Sequence, residues 1–321
     1  MPIFEFDPLA PPLTPRFSGS SDFQLIHHGK VRVNTGSRLH FGFLDLTPDN
    51  THFWKDLNGI CSLPVRRYGG IGLMIPSPGI SVLVELSKAW EYQGEHFHRA
   101  EQCSLLLQAF CLENNRELKP CRVTVEKSAP HHVGLGTGTQ LALAVGKALL
   151  LANGLDLPTK ELGPVLGRGK RSAIGLYGFD HGGIIVEGGK AQDENISPLV
   201  ANLPWPKEWE IELHLESSKT GVHGSEEIQA FKSIMVSNEN AEHLAANPRN
   251  ALLGILPAII SKDLNAVRKF IFDMNMRTGK VFEPFEGEDQ KRNNKNERNT
   301  IEGFCGQSSW GPACFGIRMK P

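Results

Sequence analysis

The stretch PHHVGLGTGTQLALAVG, residues 130–146, decides the fold. A short segment rich in β-branched residues, CRVTVEKS at residues 121–128, precedes it, and a continuous apolar run follows from Leu141. The predicted order is therefore strand, glycine-rich loop and apolar helix. The first turn of a helix has backbone N–H groups without partners and a partial positive charge. Glycines let these N–H groups converge on an anion, so the stretch predicts a phosphate-binding loop.

The spacing of the glycines excludes two common types of phosphate-binding loop. A Walker A loop requires lysine after its last glycine, and Thr139 follows Gly138 here. The dinucleotide pattern GxGxxG also fails, because Gly134, Gly136 and Gly138 are spaced by two throughout. Taken alone, the loop fits a phosphate site and a tight strand-to-helix turn without a ligand equally well.

The composition of the chain is that of a soluble globular protein of about two domains. It has 321 residues, of which 40% are hydrophobic and 21% charged. A net charge of −1 gives no general attraction to nucleic acid or to anionic membranes, so we expect neither as a partner. The six cysteines form no CxxC pair, and no apolar run approaches the ~20 residues of a membrane span, which predicts a cytoplasmic protein.

Turn signals and periodicity predict an α+β protein. We expect residues 1–24, rich in proline and serine, to form a flexible N-terminal arm. A strand is predicted from Val31 into a loop at Thr35, and a hairpin is predicted from residues 71–75 and 80–87 around the turn PSPG. Helices dominate from about residue 224 to residue 277, and a polar loop is predicted at residues 286–300.

Three motifs together resemble those of the GHMP superfamily of small-molecule kinases. The glycine loop is similar to its second motif, VNTGSRLHFGFLD at residues 33–45 falls at the place of the first, and GQSSWGPACFG at residues 306–316 at the place of the third. Within the superfamily, SRLHFG, GRGKRSAIGLYGFDHGGIIVEGG (residues 167–189) and GQSSWGP resemble the β-ribofuranosylaminobenzene 5′-phosphate synthase family. The likeness extends from about Val31 to Phe315.

This resemblance implies a two-domain GHMP-type fold. The N-terminal domain, residues 25–195, would be ribosomal-protein-S5-domain-2-like, and the C-terminal domain, residues 196–321, would be ferredoxin-like. The third motif ends close to Pro321, whereas related proteins usually continue through another strand and helix. We therefore expect a shortened C-terminal domain.

The resemblance also implies an activity. Members of the family join 5-phosphoribosyl 1-pyrophosphate to 4-aminobenzoate or 4-hydroxybenzoate in tetrahydromethanopterin biosynthesis, with loss of pyrophosphate and carbon dioxide. The departing pyrophosphate requires fixed N–H donors and a divalent cation, so Mg²⁺ is the expected cofactor. By analogy with the family, the protein is expected to form a homodimer.

The roles of individual residues follow from the same resemblance. The loop would hold a phosphate or pyrophosphate of the donor through Gly134, Leu135, Gly136, Thr137, Gly138, Thr139 and Gln140. Donor phosphates or the benzoate carboxylate would be bound by Arg168, Lys170, Arg171 and Ser172, and Ser37, Arg38 and His40 would face the same cleft. Gln307, Ser308, Ser309 and Trp310 would close the cleft, with the indole stacked on the arene. We expect catalytic roles for Arg38, His40, Arg171 and Asp180. Asp180 is the candidate for a metal or proton-handling role, and the metal ligands stay unknown.

Several of these residues have an equally ordinary structural interpretation. His40 fits a core histidine, Trp310 a hydrophobic plug, and Asp180 a turn residue before Gly182 and Gly183. His131 and His132 either touch phosphate or end the preceding strand.

Two other functions remain open at this stage. An ATP-dependent GHMP kinase would use the same loop, but several such kinases carry a proton-accepting aspartate where Gly175 or Leu176 stands. A ligand sensor that keeps the fold without turnover is the second alternative.

Overall fold

The structure of the protein is a computed structural model. It describes residues 3–5, 16–46, 66–191, 193–215, 229, 233, 243–285, 301–309 and 311–321. The predicted helix at residues 225–235 and the predicted loop at residues 286–300 lie largely or wholly outside these residues. The α+β class is confirmed, because helices and strands alternate through the described chain.

A mixed sheet, antiparallel except for the parallel pair of β5 and β6, forms the frame of the molecule. Its strands are β2 (Asp22–His27), β3 (Lys30–Asp45), β4 (Tyr68–Leu86), β5 (Glu91–Gly94), β6 (Cys121–Lys127), β8 (Ile184–Glu187) and β9 (Leu199–Leu203). The order is β2-β3-β4-β6-β5, and β8 pairs with the first half of β4 and with β9. Two residues near the N-terminus, β1 (Phe4–Glu5), pair with β7 (Leu155–Asp156) in a separate small sheet.

The long β3–β4 pair corrects two sequence predictions. The chain does not enter a loop at Thr35, because β3 continues to Asp45 with a register shift between Thr35 and Ser37. The residues on either side of PSPG do not form a hairpin, since both halves of β4 pair with β3 and the four turn residues bulge out between Ile75 and Ile80. Continuous pairing with β3 overrides the local turn signal.

The N-terminal arm is attached to the body where the structure describes it. The Phe17 N–H donates to the His181 carbonyl at 2.5 Å, and the Ser21 N–H donates to the Phe179 carbonyl at 2.7 Å. Strand β2 begins at Asp22, so the expected boundary at residue 24 falls inside a strand. These backbone hydrogen bonds correct the expectation of a loose arm for residues 16–24.

Helix α2 (Thr137–Ala152) is the central helix of the N-terminal part. Fourteen of its sixteen residues are buried, because the sheet lies on one side and α1 (Phe97–Glu113) and α4 (Ile174–His181) lie on others. A helix that is apolar all round requires such a central position. Its one buried lysine, Lys147, donates to Asp156 Oδ1 at 2.6 Å and to the Leu157 carbonyl at 2.7 Å. The short α3 (Thr159–Val165) precedes α4.

The C-terminal part packs helices and a small sheet against the first half of β4. It contains β10 (Trp209–His214), a helical run of α5 (Asn247–Asn250), a π turn (Ala251–Ile255) and α6 (Leu256–Ile260), then α7 (Leu264–Phe282), β11 (Phe304–Gln307) and β12 (Cys314–Met319). Strand β12 is the middle strand of the sheet β10-β12-β11. A shared core, including Phe41, Ile71, Ile271 and Phe315, joins this part to β3 and β4. The domain junction at residues 195 and 196 stays a prediction.

Candidate active site

A cavity of about 800 Å³ lies where the glycine loop, β3, α7 and the segment between α3 and α4 meet. Its walls are formed by Arg38, His40, Phe41, Gly42, Phe43, Arg99, His131, His132, Gly134, Leu135, Gly136, Thr137, Gly138, Thr139, Gly167, Arg168, Gly169, Lys170, Arg171, Ser172, Gly175, Asn275, Thr278, Gly279, Phe282, Gln307, Ser309 and Gly311. Three segments far apart in sequence therefore meet at one site, as the three motifs predict. A cavity of this size accommodates a substrate with several functional groups.

The glycine loop has a backbone that other residues would strain. Gly134 and Gly136 have φ values of 92° and 68°, in the left-handed region that favours glycine. A side chain on Gly136 would also contact the Arg38 guanidinium, whose Nε lies 2.9 Å from the position of a Cβ. The loop is fixed from both sides: the Arg38 N–H donates to the Leu135 carbonyl at 2.8 Å, and the Thr137 hydroxyl donates to the Pro130 carbonyl at 2.7 Å.

Two guanidinium groups lie over the first turn of α2. A Cβ at Gly138 would have only two near neighbours, Arg168 Nη1 at 3.6 Å and Arg99 Nη1 at 3.7 Å. Gly138 thus leaves a space between the two arginines, at the first turn of α2. The Arg168 Nε is buried and has no hydrogen-bond partner within the described chain. Positive charge, a helix N-terminus and an unpaired donor together define an anion site.

Histidines border the anion site. Arg99 Nη2 lies 2.8 Å from His132 Nε2, and the rings of His131 and His96 have centroids 3.7 Å apart. Burial, followed by the nearby His96 and Arg99, lowers the pKa of His131 to about 3. The imidazole of His131 is therefore neutral near pH 7 and adds no further charge to the site.

Arg38 and His40 lie on β3 between the anion site and the opposite end of the cavity. His40 is 2% exposed, and burial followed by the charge of Arg38 holds its pKa well below the usual value. Its ring lies 4.7 Å from that of Phe43. His40 is thus a neutral imidazole in an apolar setting, and it also lines the cavity.

The basic segment at residues 167–172 is held by a buried carboxylate beneath it. Glu187, which is fully buried on β8, accepts a hydrogen bond from the Ala173 N–H at 2.7 Å. The Lys190 ammonium donates to the Lys170 carbonyl at 3.1 Å. Burial raises the pKa of Glu187 above its usual value. These contacts fix the segment that carries Arg168, Lys170 and Arg171.

Two predicted ligand-binding residues have structural roles instead. Gln140 is fully buried, where its amide accepts from the Thr35 hydroxyl at 2.7 Å and donates to the Gly175 carbonyl at 2.8 Å. Ser308 is also fully buried, and its hydroxyl accepts from the His40 N–H at 3.1 Å and donates to the Gly134 carbonyl at 2.8 Å. Neither side chain belongs to the cavity wall. Their hydrogen bonds are consumed in joining β3, the glycine loop and α4.

Two further predicted residues, Asp180 and Ser37, do not line the cavity. Asp180 accepts a hydrogen bond from the Thr159 hydroxyl at 2.6 Å, between α3 and α4, which does not support a metal or proton-handling role. Ser37 is fully buried and absent from the cavity wall. Trp310 lies outside the described residues. The other predicted residues, including Arg38, His40, Arg168, Arg171, Ser172, Gln307 and Ser309, all line the cavity.

The far end of the cavity is apolar and aromatic, and the sequence analysis missed it. Phe43 on β3 and Phe282 at the end of α7 are 6% and 5% exposed, with ring centroids 5.9 Å apart. Thr278 and Gly279 of α7 lie beside them. Among the described residues, none has an atom within 4 Å of a Cβ at Gly279, so this glycine leaves the described wall open. No sequence signal links α7 to the cavity.

Arg99 was also missed, although the sequence carries a signal for it. Phe97, His98 and Arg99 form the first turn of α1, which contains no acidic residue. An arginine in the first turn opposes the helix macrodipole, so such a residue needs another reason for its position. The space above Gly138 supplies that reason.

The donor set of the described cavity wall does not fit a protein-bound Mg²⁺. Mg²⁺ prefers carboxylate oxygens, and no Asp or Glu is among the described residues that line the cavity. No group of three or more His, Cys, Asp or Glu residues suited to a metal occurs in the described parts of the chain. The wall instead carries five cationic side chains, Arg38, Arg99, Arg168, Lys170 and Arg171.

Comparison with known proteins first defines the class. Residues 101–183 match the GHMP kinases N terminal domain. The fold is similar to that of phosphomevalonate kinase from Streptococcus pneumoniae, with a TM-score of 0.64 and 11% identity over 91% of this chain and 92% of that one. Together with the glycine loop at the start of α2, these findings give the chain the GHMP kinase fold.

The family follows from the sequence relatives. The chain is 31% identical to the β-ribofuranosylphenol 5′-phosphate synthase of Archaeoglobus fulgidus over 74% of this chain and 73% of the relative. It is 27% identical to the synthase of the same name from Methanothermobacter thermautotrophicus, over 89% of this chain and 88% of the relative. The chain belongs to the β-ribofuranosylphenol 5′-phosphate synthase family, which confirms the resemblance drawn from the three motifs. No helix among the described residues is long and apolar enough to cross a membrane.

Proposed function

We propose that this protein condenses 5-phosphoribosyl 1-pyrophosphate with 4-hydroxybenzoate, and releases pyrophosphate and carbon dioxide. The observation that carries the proposal is the charge of the cavity wall. The described residues that line the cavity include five cationic side chains and a helix N-terminus, and none of them is a carboxylate. Such a wall suits a donor with three phosphate groups and an acceptor with a carboxylate. The product would be a ribofuranosylphenol 5′-phosphate, the compound in the names of the relatives.

The choice of 4-hydroxybenzoate over 4-aminobenzoate rests on those names. The family resemblance leaves both acceptors open, and a phenol product requires a hydroxyl group para to the carboxylate. The ring carbon that carries the carboxylate would bond to C1 of the ribose as the C1–oxygen bond to pyrophosphate breaks. Loss of carbon dioxide then returns the electron pair of the carboxyl bond to the ring, so atoms and charges balance.

The residues around Gly138 would bind the pyrophosphate of the donor. Arg99 and Arg168 flank the space above this glycine, which lies in the first turn of α2, where the helix dipole favours an anion. As the C1–oxygen bond breaks, negative charge grows on the pyrophosphate, and fixed donors stabilise it most at that stage. Arg38, which packs against Gly136, lies at the position between donor and acceptor.

The neutral charge of His40 suits the acceptor carboxylate. The carboxylate must bind and yet be lost as carbon dioxide, so a site in which every nearby group were a fixed cation would hold it too tightly. His40 is neutral because burial and Arg38 lower its pKa, and it adds no charge where the carboxyl bond would break. Arg171 and Lys170, which also line the cavity, would orient the carboxylate before the reaction.

A kinase function has less support from the cavity. A GHMP kinase of the aspartate type would need a carboxylate to accept the proton of the substrate hydroxyl. Gly175 lines the cavity, and a Cβ there would lie 3.2 Å from Thr139 and 3.3 Å from Gln140. The position is therefore filled by the backbone and its neighbours, without a proton acceptor.

In this proposal, Mg²⁺ is bound by the donor substrate. Pyrophosphate oxygens are themselves good Mg²⁺ ligands, so the ion would enter with the donor. We assign no step to the metal. Participation in tetrahydromethanopterin biosynthesis, a cytoplasmic location and homodimerisation stay predictions.

The test is release of carboxyl-labelled carbon dioxide. Purified protein is incubated with 4-hydroxybenzoate labelled at its carboxyl carbon, with and without 5-phosphoribosyl 1-pyrophosphate, in the presence of Mg²⁺. Release that depends on the donor supports the synthase. Consumption of ATP with a sugar or alcohol would favour a kinase, and donor binding with no release would favour a sensor.

A further inference from the structure

The cavity has two chemically different ends, joined by β3. At one end, Gly138 lies beneath the guanidinium groups of Arg99 and Arg168. At the other, Phe43 faces Phe282 of α7. The strand segment from Arg38 to Phe43 spans at most about 16 Å at ~3.3 Å per residue, which leaves room for a different substrate at each end.

The apolar end has an aromatic wall formed by Phe43 and Phe282, against which a flat ring can pack. We call this end the Phe43–Phe282 slot. Phe43 and Phe282 are nearly buried and still line the cavity, and their ring planes differ by 46°. Gly42 and Gly279 border them without side chains. A Cβ at Gly42 would collide with the Thr278 hydroxyl, whereas a Cβ at Gly279 would meet no atom of the described residues within 4 Å. The open side of the slot is therefore at Gly279, which is exposed to solvent.

The hydroxyl of Thr278 is the polar group nearest this slot on α7. It accepts a hydrogen bond from the Asn247 amide at 3.4 Å and is 9% exposed. Asn275, one turn earlier, is fully engaged, because its amide binds the carbonyls of Phe41 and Gln307 and accepts from the Gln307 N–H. In the described part of the chain, the slot thus combines aromatic walls with the Thr278 hydroxyl and the His40 imidazole.

We infer that the Phe43–Phe282 slot binds the aromatic ring of the acceptor, and that Gly279 sets the size of acceptor that can enter. This inference rests on the proposed function, since it assigns the second substrate of that reaction. The ring would stack on the phenylalanines with its hydroxyl end toward Thr278 and its carboxylate end toward Arg38 and the donor. That orientation presents the carboxyl-bearing carbon to C1 of the ribose, as the reaction requires.

A pair of glycine substitutions separates the two ends. Both Gly279 and Gly138 lie in helices, and neither has a positive φ, so a side chain at either position leaves the helix intact. Gly279→Leu should weaken use of the aromatic acceptor, raising the acceptor KM by about 10-fold or more, and should change the donor KM little. Gly138→Ala, which places a methyl group between the arginines, should raise the donor KM and leave the acceptor KM nearly unchanged.

A second pair guards against a variant that fails to fold. Phe282→Leu removes one aromatic wall and should raise the acceptor KM by about 3- to 10-fold, the range of an aromatic stacking contact. Phe272→Leu is the matched control, because Phe272 lies on the same helix and is not part of the cavity wall. It should behave as the wild type.

Binding distinguishes failure of this inference from failure of the reaction. Saturation-transfer NMR with 4-hydroxybenzoate, in the presence of inorganic pyrophosphate, reports ring contact without turnover. If the wild type bound 4-hydroxybenzoate and Gly279→Leu did not, the slot would stand even if no carbon dioxide were released. Two results would overturn the slot assignment in a wild type that turns over. In the first, both Gly279→Leu and Phe282→Leu keep the wild-type acceptor KM. In the second, both variants raise the donor KM as much as the acceptor KM.

Discussion

Replacing Arg99 by alanine tests the anion site at the residue that the motifs do not contain. Its Nη1 lies 3.7 Å from the Cβ position of Gly138, and its Nη2 contacts His132 at 2.8 Å. A charge-assisted hydrogen bond to phosphate contributes roughly 1.5–3 kcal/mol. Since ~1.4 kcal/mol corresponds to a tenfold change, Arg99→Ala should weaken pyrophosphate binding by about 10- to 150-fold.

Titration calorimetry with inorganic pyrophosphate measures this effect without dependence on turnover. Arg99→Lys should give an intermediate loss, because the charge is kept and the two-pronged geometry is not. Arg66→Ala is the control: Arg66 pairs with Glu194 at 2.7 Å, outside the cavity, and its loss should leave pyrophosphate binding unchanged. Wild-type affinity in Arg99→Ala would refute the assignment of pyrophosphate to this end.

Two further predictions concern stability. Ser308→Ala should lower the free energy of unfolding by about 2–4 kcal/mol in urea titrations, because it leaves the buried His40 N–H and Gly134 carbonyl without their partner. Ser309→Ala, at the exposed neighbouring residue, is the control. Equal stability of the two variants would contradict the role of Ser308. For pH, the pKa of His40 is lower in the folded than in the unfolded chain, so below its usual pKa of 6.5 the unfolded state binds the proton first. The free energy of unfolding should therefore fall as the pH decreases from 6.5, by at most about 1.4 kcal/mol per pH unit for this group. His40→Gln should reduce this slope, measured by urea titration between pH 7.5 and pH 5.5. His98→Gln, at an exposed site, is the control and should leave the slope unchanged.

Local patterns were sufficient for the elements whose signal is strong. The apolar run after Gln140 predicts α2 because a helix buried on every face needs no periodicity, and the glycines before it predict the loop. The β3–β4 pair was mispredicted because proline and glycine at residues 76–79 signal a turn locally, whereas the pairing partner is fixed over more than ten residues. Tertiary pairing of this kind is invisible in a single segment.

Site residues that belong to a motif could be predicted from the sequence, whereas those that reach the cavity through tertiary packing could not. Arg38, Arg168 and the glycines follow from the motifs. Gln140 and Ser308 were assigned to the ligand because they fall within motifs of the family that the chain resembles, but their hydrogen bonds are used within the protein. Phe282 comes from a helix whose approach to β3 depends on the whole C-terminal core.

The glycine loop depends on residues close to the other end of the chain. The Ala313 N–H donates to the Val133 carbonyl at 3.0 Å, and the Ser308 hydroxyl holds Gly134. During synthesis, a ribosome would therefore expose α2 and its loop well before the segment that fixes their shape has emerged. Until residue 313 leaves the exit tunnel the nascent protein has no finished phosphate cradle, and a prematurely terminated copy would not sequester the activated sugar.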